Sequence, residues 1–284
     1  MTEVQLAWPR RRRVSRSNVV VHAVLILGAL VMIAPFFWQI TTSLKTFAES
    51  TRTPPVVFPS DPQWTNFTAV FDSLPFAVQF LNSVLMTLAR TAGQVILCTC
   101  SGYAFARLEF PGKPVIFALF LSVMMIPSQL FLLSQYQIIQ HLGLLNTVSA
   151  LALPGIFSAF GTFLMRQAFL QMPHEMEEAA RIDGATVLQT FRLVMLPLAM
   201  NSMLALAMLV AIWSWNDLLW PLVVNTDPSA MPLSAGLATL QGQYLTNYPV
   251  LMAGSLMASV PMIVLFVIFQ RYMIQGIASS GLKG

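Results

Sequence analysis

Long apolar stretches alternate with shorter polar stretches along almost the whole chain. Six of the apolar stretches reach or approach the roughly 20 residues that a helix needs to cross a hydrocarbon core of about 30 Å. The predicted spans are 19–40, 81–106, 114–134, 148–165, 202–224 and 250–269. The pattern therefore predicts an all-α polytopic membrane protein with six transmembrane helices. The first span is too long for a signal-peptide core, and no small-residue cleavage site follows it.

The composition agrees with this class of protein. Hydrophobic residues make up 56% of the 284 residues and charged residues only 9%, so too few charges remain to cover a water-soluble surface of this size. The only cysteines, Cys98 and Cys100, lie two residues apart inside an apolar stretch. On a helix they face different directions and cannot readily bridge each other. We predict that both are small core residues.

The distribution of basic residues predicts the orientation in the membrane. With six spans both termini lie on one side, and 12 of the 15 lysines and arginines fall on that side. By the positive-inside rule this side is cytoplasmic, and it includes the basic tail 1–18, the tail 273–284 and the segment 173–197. We therefore interpret the basic tail 1–18 as a topology anchor beside the lipid, and no nucleic-acid partner is predicted. The twelve residues are Arg10, Arg11, Arg12, Arg13, Arg16, Arg107, Lys113, Arg166, Arg181, Arg192, Arg271 and Lys283.

The segment 173–197 is the longest polar stretch in the C-terminal two-thirds of the chain. Pro173 can begin a helix, and the three glutamates that follow favour its positive N-terminal end. Glu177 and Arg181 form an i,i+4 pair in the favourable order, and Gly184 can end the helix in a left-handed conformation. Thr186 with Gln189 has the form of a capping box for a second helix, which is predicted to end before Pro197. The composition of the segment also fits a solvated connecting loop.

The spacing of several residues in this segment resembles a known motif. Glu178-Ala179-Ala180, then Gly184, then Leu196-Pro197 resemble the EAA loop of ABC importer permeases, and the run EEAARIDGAT is similar to the version in the maltose-type carbohydrate branch. Further similarities cover most of residues 19–284. They are Asn82-Ser83, Ala104-Phe105-Ala106-Arg107, Phe110-Pro111-Gly112-Lys113, Trp215-Asn216-Asp217, Pro221-Leu222, Gln270-Arg271-Tyr272, Gly276, Gly281 and Lys283-Gly284.

The resemblance implies a type I ABC importer permease in which the loop is the coupling helix that docks on an ATP-binding subunit. It also implies a second, homologous permease, two copies of the ATP-binding subunit, and an extracytoplasmic substrate-binding protein that meets the outer loops 41–79, 135–147 and 225–249. ATP and Mg would be bound by the partner ATPase. The coupling residues that it implies are Glu177, Glu178, Ala179, Ala180, Asp183, Gly184, Ala185, Leu196 and Pro197.

The chain itself carries no recognisable catalytic motif. Gly112-Lys113 lacks the upstream glycine of a phosphate-binding loop and is followed by proline. The three histidines are far apart in sequence and have no metal-ligand spacing. We therefore predict no catalysis, no cofactor and no metal in this chain.

Polar residues inside the spans are candidates for a substrate path, because burying them in a membrane is costly. Arg90 is predicted either to face the path or to snorkel to the membrane surface. Asn82, Gln94 and Gln129 fit interhelical hydrogen bonds as well as a path. The candidates near the outer end of the fifth span suit a sugar, although an interfacial aromatic belt is the alternative for the two tryptophans; they are Trp215, Asn216, Asp217 and Trp220. Pro127 and Pro261 are expected to kink their spans.

Together these features predict half of the translocation path of an ATP-driven sugar importer. One alternative is an ABC permease for a polyol phosphate such as glycerol 3-phosphate, for which Arg90 alone supplies few positive charges. The other is a secondary transporter acting alone, which often shows repeat symmetry and several buried ionisable groups. We find no clear repeat in the sequence, and only Arg90 and Asp217 are candidates for such groups.

Overall fold

The computed structural model describes residues 16–242 and 245–281, and within these ranges the chain is helical with no strand. Most of the predicted N-terminal tail and the last three residues lie outside the described ranges. Two 3₁₀ turns (Ser128–Phe131 and Leu153–Gly155) and one π turn (Phe191–Met195) lie between the α-helices. The α-helices are α1 (Arg16–Ser43), α2 (Phe47–Ser50), α3 (Thr65–Ser73), α4 (Phe76–Arg107), α5 (Lys113–Val123), α6 (Leu132–His141), α7 (Val148–Ala152), α8 (Ala159–Leu170), α9 (Glu175–Ile182), α10 (Val187–Thr190), α11 (Leu196–Leu198), α12 (Met200–Trp215), α13 (Leu219–Val224), α14 (Leu233–Thr239) and α15 (Tyr248–Gly281).

Three helices, α1, α4 and α15, are each long and apolar enough to cross a membrane. Three further spans are bent pairs of helical segments: 113–123 with 128–141, 148–155 with 159–170, and 187–198 with 200–215. Counting each bent pair as one span gives six spans, the predicted number, although the last pair begins inside the predicted loop 173–197 and ends at Trp215. The most hydrophobic part of α1 buries none of its residues within the chain, as expected for a helix whose apolar side chains face lipid or another subunit.

The bends have local causes. Pro127 carries no N–H and disfavours a helical residue before it, and the third span turns by 94° beside it. Ser158 caps α8 by accepting a hydrogen bond from the N–H of Gly161 at 3.0 Å, where the fourth span bends by 46°. The prediction of a kink at Pro127 is confirmed, whereas α15 continues through Pro261.

The fifth span differs most from its predicted form. A single helix over 202–224 is wrong: α12 ends at Trp215, and a new helix begins at Leu219. Asn216 and Asp217 lie at this break, but the rest of 202–224 is largely apolar, so hydropathy averaged over the whole stretch does not reveal it. The second span also begins earlier than predicted, at Phe76 rather than residue 81.

The helix α4 lies at the centre of the described fold and packs against α8 and α12. Its contact with α8 is close because it has small residues on that face. A Cβ atom on Gly102 would lie 2.6 Å from Cβ of Met165 and 2.8 Å from the backbone nitrogen of Arg166, so only glycine fits there. Polar side chains add hydrogen bonds along the same contact, including Ser101 to Thr162 at 2.9 Å.

The two cysteines illustrate the geometry of α4. Cys98 is buried in the core beside Met165 and Leu206, as predicted. Cys100 is exposed, so its prediction as a core residue is wrong. The two residues are separated by about 200° around a helix, and only one of them can face the α8 contact.

The predicted polar connection after the first span contains the short helices α2 and α3. Glu49 closes a capping box with Thr46 at the start of α2. Its carboxylate also accepts hydrogen bonds from the backbone N–H of Ser60 at 3.0 Å and from the Ser60 hydroxyl. These bonds, first those from Ser60 and Thr46, lower the pKa of Glu49 from 4.5 to about 2.

The lowered pKa of Glu49 predicts an acid-sensitive loop. A depressed pKa in the folded state means that the stabilisation is present above the unfolded pKa and is lost as the pH falls from about 4.5 towards 2. We expect the Ser60 amide to lose protection from hydrogen exchange over this window, after correction for the intrinsic exchange rate. Glu49→Gln should show the loss already at neutral pH, whereas Asp72→Asn, an exposed control, should behave as wild type. Equal protection in Glu49→Gln and wild type at neutral pH would contradict this.

Candidate functional site

The loop between the fourth and fifth spans folds as predicted into a helix, a glycine turn and a second helix. Three glutamates occupy the first turn of α9. Gly184 has φ of +80°, its N–H donates to the carbonyl of Arg181 at 3.0 Å, and the N–H of Ala185 donates to the carbonyl of Ala180 at 2.9 Å. This is the left-handed helix stop expected of glycine. Pro173 is not the first helical residue, because α9 begins two residues later.

The second helix of the loop begins as predicted and continues further than predicted. Thr186 and Gln189 form the reciprocal capping box. The chain then widens into the π turn 191–195 and remains helical through Pro197. The prediction that this helix ends before Pro197 is therefore wrong. A widened turn gives the proline ring room near the carbonyls of the preceding turn, which an α-helix does not.

Most of the predicted coupling residues lie at the surface of the loop. Glu178, Ala179, Asp183, Gly184 and Pro197 are exposed, and Ala180, Ala185 and Leu196 are half-buried. The apolar side chain of Ile182 is 86% exposed at the tip, next to the glycine turn. The tip therefore presents carboxylates and apolar side chains together.

Glu177 is the exception among these residues. It is only 4% exposed and faces inwards, where its Oε1 atom lies 3.5 Å from Nε of Arg107 at the end of α4. Its predicted place on a docking surface is therefore wrong, and Arg107 replaces Arg181 as the cation beside it. An unpaired buried carboxylate is costly, so a buried cation stabilises Glu177 more than an exposed arginine on the same helix would.

A second polar site lies within the membrane-spanning part, around the ion pair of Arg90 and Asp217. Nη1 of Arg90 donates to Oδ2 of Asp217 at 2.8 Å, and Nε and Nη2 both donate to the carbonyl of Leu151, at 2.9 and 2.6 Å. The Arg90 side chain is 9% exposed and that of Asp217 is 24% exposed. Arg90 therefore stays buried in the protein and does not snorkel.

This ion pair lines a cavity of about 330 Å³. Three breaks in the helices meet at this cavity: Ser128 and Gln129 follow the break in the third span, Gly155 precedes the break in the fourth, and Asp217 lies in the break after α12 that divides the predicted fifth span. The other lining residues are Leu132, Gln135, Pro154, Leu219 and Trp220.

A scan against protein families matches residues 60–278 to the binding-protein-dependent transport system inner membrane component. The chain belongs to this family. It is therefore a multi-pass membrane component of a binding-protein-dependent transport system, and it works with other subunits of that system.

The permease is similar to two named relatives in sequence and to one solved structure in fold. It is 39% identical over 227 residues to the arabinooligosaccharides transport system permease protein AraQ of Halalkalibacterium halodurans, covering 80% of this chain and 81% of that protein. It is 29% identical over 271 residues to the sn-glycerol-3-phosphate transport system permease protein UgpE of Yersinia pestis biovar Antiqua, covering 93% and 96%. The fold is similar to a crystal structure of a bacterial ABC transporter involved in the import of the acidic polysaccharide alginate, with a TM-score of 0.78 and 24% identity over 93% of this chain and 99% of that chain.

The structure divides the predicted path residues of the permease into two groups. Arg90, Gln129, Asp217 and Trp220 line the cavity. Asn82 does not: its amide donates to the carbonyls of Ser229 and Met231, so it holds the segment before α14. Its other predicted role, an interhelical hydrogen bond, is closer to what is observed.

Trp215 and Asn216 also lie away from the cavity lining. Trp215 is 8% exposed and donates its indole N–H to the carbonyl of Ala258 at 3.0 Å, while the amide of Asn216 donates to the carbonyl of Ile212. The aromatic-belt alternative is wrong for both tryptophans, because Trp220 is likewise only 7% exposed. Each indole N–H finds a buried carbonyl instead of the membrane surface.

Three residues of these sites were not singled out by the sequence. Ser128 and Gln135 line the cavity, and the position of Pro127 just before them was the available signal. Arg107 belongs to the stretch that carries the family resemblance and to the basic residues of the predicted cytoplasmic side. Nothing in the sequence around it indicates that it reaches α9.

The buried ion pair predicts a clear stability effect. Asp217→Asn leaves the guanidinium of Arg90 without its counter-charge, which costs at least about 3 kcal/mol. For a chain of this size that corresponds to a fall of about 6–12 °C in the unfolding midpoint of the purified transporter. Asp72→Asn should leave the midpoint unchanged.

A double variant tests whether the pair is the cause. Arg90→Gln together with Asp217→Asn removes both charges and keeps a donor for the Leu151 carbonyl, so its loss should be smaller than that of Asp217→Asn alone. A double variant that loses the sum of the two single losses would exclude a coupled pair.

Proposed function

We propose that this permease forms half of the membrane path for a neutral carbohydrate in an ATP-driven importer. The observation that carries the proposal is the arrangement of the Arg90–Asp217 ion pair in the cavity. Arg90 directs its donors to Asp217 and to the Leu151 carbonyl, and Asp217 is the more exposed partner of the pair. In this cavity the carboxylate of Asp217 is therefore more accessible to a solute than the guanidinium of Arg90.

This arrangement suits a polyhydroxylated solute. The accessible carboxylate can accept hydrogen bonds from sugar hydroxyls, and Ser128, Gln129 and Gln135 add groups that both donate and accept. A volume of about 330 Å³ falls at the lower end of the usual range for ligand pockets, about 300–1,000 Å³. In the proposed assembly a second, homologous permease completes the path from the opposite side.

The relatives support two solutes, and the cavity favours one of them. AraQ is named for arabinooligosaccharides, whereas UgpE is named for sn-glycerol 3-phosphate. A phosphate group is best held by a free arginine fork or lysine, and Arg90, the one cation among the described residues that line this cavity, is already paired with a carboxylate. Glycerol 3-phosphate is therefore the second candidate, which requires that the partner permease supply the cations.

The exposed loop is the proposed contact to the ATPase. Its tip combines carboxylates (Glu178 and Asp183) with the exposed Ile182 and the small residues Ala179 and Ala180, a surface that permits close approach and pairing with basic or amide groups. The excess of lysine and arginine on this side supports a cytoplasmic location of the loop and of both termini. Two ATP-binding subunits would hold ATP and Mg there, and an extracytoplasmic binding protein would deliver the solute on the other side. We propose no catalysis in this chain itself.

The substrate proposal is tested with the purified assembly in lipid vesicles together with its binding protein. We expect ATP hydrolysis to rise when the binding protein is loaded with a neutral oligosaccharide such as an arabinooligosaccharide, and not with glycerol 3-phosphate. Stimulation by glycerol 3-phosphate alone would favour the second candidate. Purification without an ATPase subunit, combined with solute movement driven by an ion gradient, would overturn both.

The coupling role of the loop predicts the effect of Gly184→Asp. A Cβ atom at Gly184 meets no atom of the described residues within 4 Å, so the substitution costs only about 1–2 kcal/mol of left-handed backbone strain and should not unfold the permease. In the assembly we expect it to abolish the hydrolysis stimulated by loaded binding protein, because the tip no longer fits against the ATPase.

Two control variants separate the possible causes. Gly112 also has a left-handed backbone, with φ of +78°, but lies outside the loop, so Gly112→Asp should retain stimulation. Asparagine tolerates the left-handed conformation better than aspartate does and adds no charge. If Gly184→Asn also loses the stimulated hydrolysis, the cause is the steric fit of the tip. Full stimulation in Gly184→Asp would exclude docking through this tip.

A further inference from the structure

The end of α4 is joined to the start of the coupling loop by one buried side chain, Arg107. Its side chain is fully buried. Nη2 donates to the carbonyls of Phe169 at 2.7 Å and Met172 at 2.5 Å, and Nη1 lies 2.7 Å from Nδ1 of His174. Nε faces the carboxylate of Glu177 at 3.5 Å. One guanidinium group therefore contacts the end of α8, the connecting turn and α9.

Glu177 is the carboxylate of α9 that serves this contact. Its neighbours Glu175 and Glu178 are exposed, whereas the Glu177 side chain is 6% exposed. A buried carboxylate costs considerable free energy unless a cation and hydrogen bonds compensate it. The pair is separated by more than the roughly 2.7–2.9 Å of a charge-assisted hydrogen bond, and neither Nε of Arg107 nor Oε1 of Glu177 has a hydrogen-bond partner among the described residues. The contact therefore has room to tighten.

The other arm of the loop contacts the same helix. Tyr103, one turn before Arg107, packs its ring against Phe191 of the π turn with centroids 4.7 Å apart. It also packs edge-on against Phe169 at 5.4 Å. Both arms of the loop therefore rest on the last turn and a half of α4.

The helix α4 is better suited than its neighbours to carry movement across the membrane. It runs unbroken for 32 residues with no internal proline. On one side of the loop the fourth span is bent by 46° between 155 and 159, and on the other side the second helix of the loop meets α12 at an angle of 71° at Ala199. Arg90 lies 17 residues before Arg107 on α4, about 25 Å along the helix axis, and there it forms the ion pair at the cavity.

We propose that Arg107 and Glu177 are positioning residues that clamp the coupling helix to α4, so that movement of α9 reaches the Arg90–Asp217 pair through α4. This inference rests on the coupling role proposed above. It adds a transmission route that does not pass through the bent spans. It also gives Glu177 a role inside the permease and none in contact with the ATPase.

The test compares Glu177→Gln with Glu175→Gln in the reconstituted assembly. Both remove one charge from the first turn of α9, but only the first alters the clamp. The readouts are basal hydrolysis, hydrolysis stimulated by loaded binding protein, and solute transported per ATP hydrolysed, each per assembled complex. We expect Glu175→Gln to match wild type. Glu177→Gln should retain ATPase binding and basal hydrolysis, while its transport per ATP falls about five-fold or more.

The outcomes separate this inference from the proposed function. A purely structural role would lower the yield of complex and all activities in parallel, which contradicts the clamp. If Glu177→Gln transports as wild type while Gly184→Asp loses stimulation, the clamp is wrong and the coupling role stands. If Gly184→Asp is also without effect, the coupling role itself fails.

A distance measurement keeps the inference testable if Glu177→Gln does not assemble. Spin labels on the exposed native Cys100 of α4 and on Glu175→Cys of α9 report the separation of the two helices, since Cys98 is buried. In the otherwise wild-type transporter we expect the same distance in the nucleotide-free and the ATP-vanadate state. A change in the distance between α4 and α9 from one state to the other would overturn the clamp.

Discussion

The cost of burying charge in an apolar environment governs the arrangement of this permease. Arg90 and Arg107 are both buried residues of α4, and each is opposed by a carboxylate from a different part of the chain: Asp217 after α12 and Glu177 on α9. Removing one member of such a pair is far more costly than removing both. Each pair therefore fixes where a distant segment must lie relative to α4, one at the cavity and one at the loop between the fourth and fifth spans.

Close packing makes α4 and α8 a common support for these pairs. Gly102 lets the two backbones approach, and Gln94 joins them by donating to the Gly155 carbonyl at 2.8 Å and accepting from the Ser158 hydroxyl at 2.7 Å. Small residues and hydrogen bonds of this kind replace the hydrophobic effect as the driving force between helices in lipid. The prediction that Gln94 forms an interhelical hydrogen bond is confirmed. The bent third and fifth spans lie outside this rigid contact.

Local signals were predictable from the sequence, and long-range pairing was not. The left-handed stop at Gly184 and the capping box of Thr186 and Gln189 depend on residues within four positions of each other, so the sequence contains all the information. The direction of Glu177 depends on Arg107, 70 residues earlier, which competes successfully with the nearby Arg181. Span number followed from hydropathy because length and composition decide it, whereas the break after Trp215 is marked only by the polar pair Asn216-Asp217 within a long apolar stretch. Of the path candidates, Arg90, Gln129, Asp217 and Trp220 line the cavity, and Asn82, Trp215 and Asn216 do not.

The breaks themselves follow from the same constraint on buried polar groups. Non-helical backbone at membrane depth is tolerated only where it lines a cavity or is buried in protein, because each unpaired carbonyl is costly there. The breaks in the third and fourth spans and the break after α12 meet at the cavity beside Arg90. Two of the carbonyls near the break in the fourth span, those of Leu151 and Gly155, accept hydrogen bonds from Arg90 and Gln94 of α4. Arg90 and Gln94 therefore stabilise the irregular backbone that forms the cavity, and this requirement explains why an arginine and a glutamine lie in the middle of this span.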